Sequence, residues 1–350
     1  MRRGDLSAAA LVALVALSAC RPADAAKRVR VDTAELTKRE QRLAQALAQA
    51  PDSATLDTTA IDSLSPDSAA VPDTVVSDDD QGKPNDGKKK KKKNKDDADS
   101  TVNDGALARW VMPRDLDELS GMALTSDGRI LAHGDERAQI SEIDYRKGVI
   151  LKQFVVGQPT IKADLEGIAI ANDVVFLLSS NGTLYEFREG NNGQRVDYIT
   201  SDTRLGKECE FEGLAYDASI NSLLLACKNV ELKQAKDSMV IYRWKLHAGG
   251  GERLSKLAVP LKTILAAIGE KDLHPSDIAV DPKTGNYVLV ASIEKALVEV
   301  TPAGQIVFAR KLVGQHNQPE SLVITKDGIL IIGDEAGRRP AMITLYRWPQ

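Results

Sequence analysis

Residues 162–170 read KADLEGIAI and residues 208–216 read ECEFEGLAY. Each places two carboxylates around one apolar residue, then a glycine, then an alternating apolar run of the kind that forms a half-buried strand. Related phrases recur along the chain as DELSGMAL, LHPSDIAV and NQPESLVI. Aligned on the strand that follows, the five phrases place Glu118, Asp164, Glu210, His274 and Gln318 in one position, at intervals of 46, 46, 64 and 44. A period of roughly 45 residues is that of a four-stranded propeller blade.

Working outward, the first unit divides into four strands near 120–125, 129–135, 139–144 and 149–156. The last unit holds three, near 321–325, 329–333 and 341–348, and the missing fourth strand is available at Leu107 to Met112. An N-terminal strand that completes the last blade leaves no open sheet edge. The expected fold is therefore all-β, a five-bladed β-propeller, with six blades as the alternative if the 64-residue interval hides a degenerate unit. A short helix over Pro260–Lys271 also accounts for that interval. Glycines in Ser126-Asp127-Gly128, Lys283-Thr284-Gly285 and Lys326-Asp327-Gly328 supply the positive φ of tight hairpins.

The rest of the 350-residue chain differs in character. Arg2, Arg3 and the apolar run Leu6–Leu17 form a signal segment, shorter than the roughly 20 apolar residues that span a bilayer. Leu17-Ser18-Ala19-Cys20 resembles a bacterial lipobox with Cys20 as the lipidated residue; an ordinary cleaved signal ending near Ala23–Ala25 is the alternative. The second mature residue would be Arg21, which by resemblance to Gram-negative sorting implies the outer membrane. Thr33 to Ala50 is compatible with a short helix, and the remainder of 21–105 is Ser, Asp, Thr, Pro and Ala with a block at Lys88–Lys93. Such composition reads as a disordered tether with a typical reach of about 50 Å. The expected organisation is 1–20 lipoprotein signal peptide, 21–105 tether and 106–350 propeller. A net charge of −4 gives no electrostatic basis for nucleic-acid binding.

Propeller topology places the start of each first strand and each second-to-third loop on one face. The acids expected there are Glu118, Asp164, Glu166, Glu210, Glu212, Asp277 and Glu320, with Asp135, Glu136, Asn181, Asp334 and Glu335 on the rim. So many carboxylates need a compensating cation or raised proton affinity. Oxygen donors without clustered His or Cys favour a hard ion, and calcium is the expected one. Acids that cap backbone amides or stand hydrated are the alternative. Cys209 and Cys227 fall on adjoining strands and are either a disulfide or two buried thiols.

The phrases ELSGMAL, GDE, DLEGIAI, EFEGLAY, LLLACK, HPSDIAV and QPESLVI resemble the SdiA-regulated (YjiK-like) domain family, itself distantly similar to NHL-repeat propellers. The resemblance covers about 107–350 and implies a five-bladed propeller with bound calcium, but no characterised reaction. Two functions are then expected. One is a lipid-anchored, extracytoplasmic module, periplasmic or at the surface, that binds a protein or small-molecule ligand. The other is a calcium-dependent hydrolase acting on lactones, esters or phosphoesters.

Overall fold

The computed structural model describes residues 104–246 and 253–349, together with Lys38, Gln41, Arg42, Ala44 and Gln45. Those five are helical and fall inside the stretch 33–50 expected to form a short helix. The signal segment, Cys20 and the rest of the expected tether up to residue 103 lie outside the described residues.

Strand β1 is Ala106–Val111. Blade 1 holds β2 (Leu119–Leu124), β3 (Ile130–Gly134), β4 (Gln139–Asp144) and β5 (Val149–Val156). Blade 2 holds β6 (Leu165–Ala171), β7 (Val174–Ser179) and β8 (Thr183–Arg188); after the short β9 (Arg195–Val196) it is completed by β10 (Tyr198–Asp202). Blade 3 is β11 (Cys209–Asp217), β12 (Ser222–Val230), β13 (Ser238–Lys245) and β14 (Leu254–Pro260). Helix α1 (Leu261–Ile268) leads to blade 4, with β15 (Pro275–Val280), β16 (Tyr287–Ala291), β17 (Ala296–Val300) and β18 (Ile306–Lys311). Blade 5 is β19 (Pro319–Ile324), β20 (Ile329–Asp334) and β21 (Met342–Arg347), and β1 pairs antiparallel with β21 as its fourth strand.

These are five sheets, so the fold is a five-bladed propeller closed by its N-terminal strand. The 64-residue interval is filled by α1 and by the long strands β11 and β12, not by a sixth blade. One strand was not expected: β9 pairs parallel with the outer edge of β5, tying blade 2's chain to blade 1. Among the described residues no helix is long and apolar enough to cross a membrane.

The alternation of side chains across each strand distributes the core between blades rather than within one. In β20, Ile329 and Ile331 pack against blade 1, whereas Leu330 and Ile332 pack against blade 4. In β12, Leu223, Leu225 and Cys227 face blade 2, and Leu224 and Ala226 face blade 4. Both faces are covered, which is why these strands read as continuous apolar runs. Helix α1 lays Leu261, Ile264 and Ile268, one helical face, into the seam between blades 3 and 4. Gly128, Gly285 and Gly328 have φ of +83°, +73° and +76°, as the hairpins required.

The first strands β2, β6, β11, β15 and β19 contact one another in that order and close the ring. Their approach is tight. A Cβ on Gly213 would lie 2.8 Å from Asp277 Cα and 2.9 Å from Ile278 N, both backbone atoms of the next blade. Only glycine fits there.

Candidate binding face at the hub

Every first strand carries a β-bulge at the same place. The pairing register skips Ser120 in β2, Glu166 in β6, Glu212 in β11, Ser276 in β15 and Glu320 in β19. A bulge leaves one residue outside the ladder and re-aims its side chain. Simple two-residue alternation along the strand therefore does not set these directions.

The five bulge residues divide by chemistry. The serines stitch the ring: Ser120 Oγ donates to the Leu165 carbonyl at 3.0 Å, and Ser276 Oγ to the Pro319 carbonyl at 2.8 Å. Glu166, Glu212 and Glu320 carry carboxyl groups held partly or wholly out of water in blades 2, 3 and 5. Burial pushes the Glu166 carboxyl up to about 9, with Glu212 and Asp164 adding to the rise. Burial likewise pushes Glu212 up to about 7, against the pull of Lys228 and with help from Glu320 and Glu210.

Lys228, on β12, sits among these acids. Its Nζ donates to Glu212 Oε1 at 2.7 Å. Burial works against its charge, but Glu212, Glu320 and Glu210 hold its proton more tightly than on an ordinary lysine. Nothing in ACKNV distinguishes a hub lysine from a surface one. Its place follows from the pairing: Cys227 is opposite Phe211, so the next residue lies beside the Glu212 bulge.

The other expected acids take several positions. Glu118 is exposed and shares a hydrogen bond with Asp135, which raises its proton affinity, and Glu136 adds repulsion. Asp164 is exposed and within reach of Glu166. Glu210 is exposed and accepts from Asn229 Nδ2 at 2.5 Å. Glu335, on the β20–β21 loop, is pushed up to about 7 by burial and by Glu320, Asp135 and Glu118. These groups do share the hub face.

Three others have local duties. Asp277 is 2 % exposed, and its carboxylate accepts from the N–H groups of Ile278 and Leu322, both at 2.8 Å. It follows the bulge instead of occupying it, so it bridges blades 4 and 5. Asn181 Oδ1 accepts from Ser179 Oγ, Thr183 N and Thr183 Oγ1 and shapes its own hairpin. Asp334 is buried, with Oδ2 2.7 Å from His316 Nδ1, while His316 Nε2 is 2.9 Å from Tyr346 Oη. His133 is fully buried beneath Gly121, and burial lowers it to about 4. Cys209 and Cys227 form a disulfide between β11 and β12.

The hub therefore offers oxygen donors of the kind calcium takes. Among the described residues, however, no three His, Cys, Asp or Glu side chains are gathered as a ready metal cage. Glu212 is engaged by Lys228 and Glu210 by Asn229. A cleft of about 350 Å³ opens on this face between blades 1 and 2, beside Asp135, Glu136 and Asp164. A cavity of about 640 Å³ occupies the opposite mouth of the ring, with hairpin residues of all five blades around it, away from the acids.

No protein-family profile and no curated protein matches the chain in sequence. Among solved structures, it is similar to the glutaminyl cyclase of Myxococcus xanthus, at 10% identity and a TM-score of 0.47, over 69% of this chain and 94% of that one. It is also similar to the virginiamycin B lyase of Staphylococcus aureus, at 14% identity and a TM-score of 0.37, over 69% and 74% of the two chains. The five-bladed assignment rests on the strand pairing itself.

Proposed function

We propose that this propeller is a binding module whose hub face takes a positively charged ligand, with calcium as the ion and a protein or small molecule as the partner it helps to hold. One observation carries the reading: Glu166 is held partly out of water beside Glu212 and Asp164, and burial first, then these two neighbouring carboxyls, push it up to about 9. A cation that arrives there relieves that repulsion and displaces protons. Glu166, Glu212 and Glu320, with Asp164 beside them, are the residues that would hold it, and their oxygen-only chemistry suits a hard ion. The resemblance of the lead phrases to the SdiA-regulated (YjiK-like) family supports the same ion and belongs to the proposal. So does anchoring outside the cytoplasm through a lipidated Cys20, which a Cys20→Ser variant tests by its release from the membrane fraction.

The direct test is thermal unfolding of the full-length chain with calcium and with a chelator. Binding to the folded state alone stabilises by about 2.7 kcal/mol at a hundredfold excess over Kd. The midpoint should rise with calcium, and Glu166→Gln with Glu212→Gln should abolish the rise. An unchanged midpoint in the parent chain sinks the calcium reading.

The second reading is a calcium-dependent hydrolase. It draws on Glu212 and Glu335, whose values of about 7 suit proton exchange near neutral pH. A panel of lactones, esters and phosphoesters, assayed with and without calcium, separates the two readings.

A further inference from the structure

The acid-bearing face is not uniformly acidic. Where blades 4 and 5 meet, a cleft of about 400 Å³ has Lys295 on one wall and Arg338 and Arg339 on the other. Lys295 belongs to the β16–β17 loop and the two arginines to the β20–β21 loop. That second loop spans 335–341, where 135–138 suffice in blade 1, and the added length carries the arginines. His316 and Asn317 contribute to the floor, and no carboxylate lines the cleft.

The floor is fixed from several directions. Tyr346 O–H donates to the Val313 carbonyl at 3.0 Å, and His316 is held between Asp334 and Tyr346. Lys295 Nζ donates to the Asn317 carbonyl, and Leu312 N donates to the Lys295 carbonyl at 2.7 Å. Arg339 Nη1 is steered by Gln315 Oε1 at 2.9 Å. Among the described residues, the Arg338 guanidinium has no hydrogen bond or ion pair. The acids that lie behind the wall are themselves engaged: Asp334 with His316, and Glu294 with His274 at 2.7 Å. Glu320 belongs to the hub.

We infer that this cleft is a subsite for a small oxyanion, the phosphate or carboxylate group of a ligand. Two guanidinium forks match the planar or tetrahedral oxygens of such groups, and a preformed floor lowers the cost of ordering them. The volume lies within the usual range for small-molecule sites. Burial pulls the Lys295 proton affinity down, and an arriving anion opposes that effect. The inference is separate from the hub reading, since the charge bound is opposite and either can fail alone.

Inorganic phosphate is the probe. It is titrated into the full-length chain at constant ionic strength, with calorimetry and thermal unfolding as parallel readouts. Saturable binding to one site is expected. Arg338→Gln with Arg339→Gln should weaken it about tenfold or more, the scale of losing a charge-assisted contact. Both arginines are exposed loop residues, so the variant should keep the parent's midpoint in phosphate-free buffer. Lys256→Gln, on the exposed outer strand β14, should leave binding unchanged. Acetate that competes with phosphate would extend the site to carboxylates; phosphate binding without such competition would restrict it to phosphoryl groups. Three results overturn the inference: no saturation by either readout, an unaltered affinity in the arginine variant, or an equal loss in Lys256→Gln.

Discussion

Lys228 Nζ lies 2.7 Å from Glu212 Oε1, and the pair joins the second strand of blade 3 to the bulge of its first. The side chain of Glu212 is 7% exposed and that of Lys228 is 30% exposed. Removing the lysine leaves a buried carboxyl without its partner. Lys228→Met should therefore destabilise the protein by about 1–3 kcal/mol, less than a fully buried pair because solvent still reaches the lysine. Adding Glu212→Gln to that variant should recover part of the loss. A double-mutant cycle from urea unfolding checks this, and strictly additive effects would show that the pair is not coupled.

Glu166 makes stability depend on pH in a defined direction. Its folded value is about 9, against an ordinary 4.5. Below 4.5 both states hold the proton and the group contributes nothing. Between 4.5 and about 9 the unfolded chain gives up the proton that the folded protein keeps, so stability falls as pH rises. Glu212, at about 7, acts in the same sense over a narrower window. In chelator, Glu166→Gln should thus raise the midpoint at pH 8 and show little gain at pH 5. For a domain of this size a change of 1 kcal/mol moves Tm by about 2–4 °C. A gain that does not vary with pH contradicts the assignment.

The seam beyond blade 3 depends on two residues that touch across it. Asp277→Ala strands the buried N–H groups of Ile278 and Leu322, each worth about 1–3 kcal/mol; the two bond different oxygens, so Asp277→Asn keeps an acceptor for only one and should be destabilised as well. Gly213→Ala forces a methyl against the Asp277 backbone and should cost about 1–3 kcal/mol. Guanidinium unfolding of the three variants gives the order. Asp277→Ala costing no more than an exposed surface substitution would mean that the carboxylate does not act through these two amides.

The architecture was legible because its cause is local and repeated. Five lead phrases and three glycine turns each report one blade, and Leu107 to Met112 was available to fill the last sheet. The hub was legible in its residue types but not in their orientation. A bulge is a property of paired strands, and no feature of DLEGIAI alone announces that Glu166 leaves the ladder. The same reason hid the role of Lys228, which depends on register across β11 and β12. Asp277 was misplaced for a related reason: one step past the bulge, it reaches the next blade's amides instead of the hub. The cleft of Lys295, Arg338 and Arg339 joins two loops from different blades, a proximity that sequence order does not contain.

The pairing of β1 with β21 has a mechanical side. Everything N-terminal to Ala106 is attached at the strand that shuts the ring, and Tyr346 lies opposite Ala106 in the register. Tension carried along the chain from that end therefore falls first on the closing seam, not on a peripheral loop. The six residues that seal the ring are therefore also the first to meet any pull from that side.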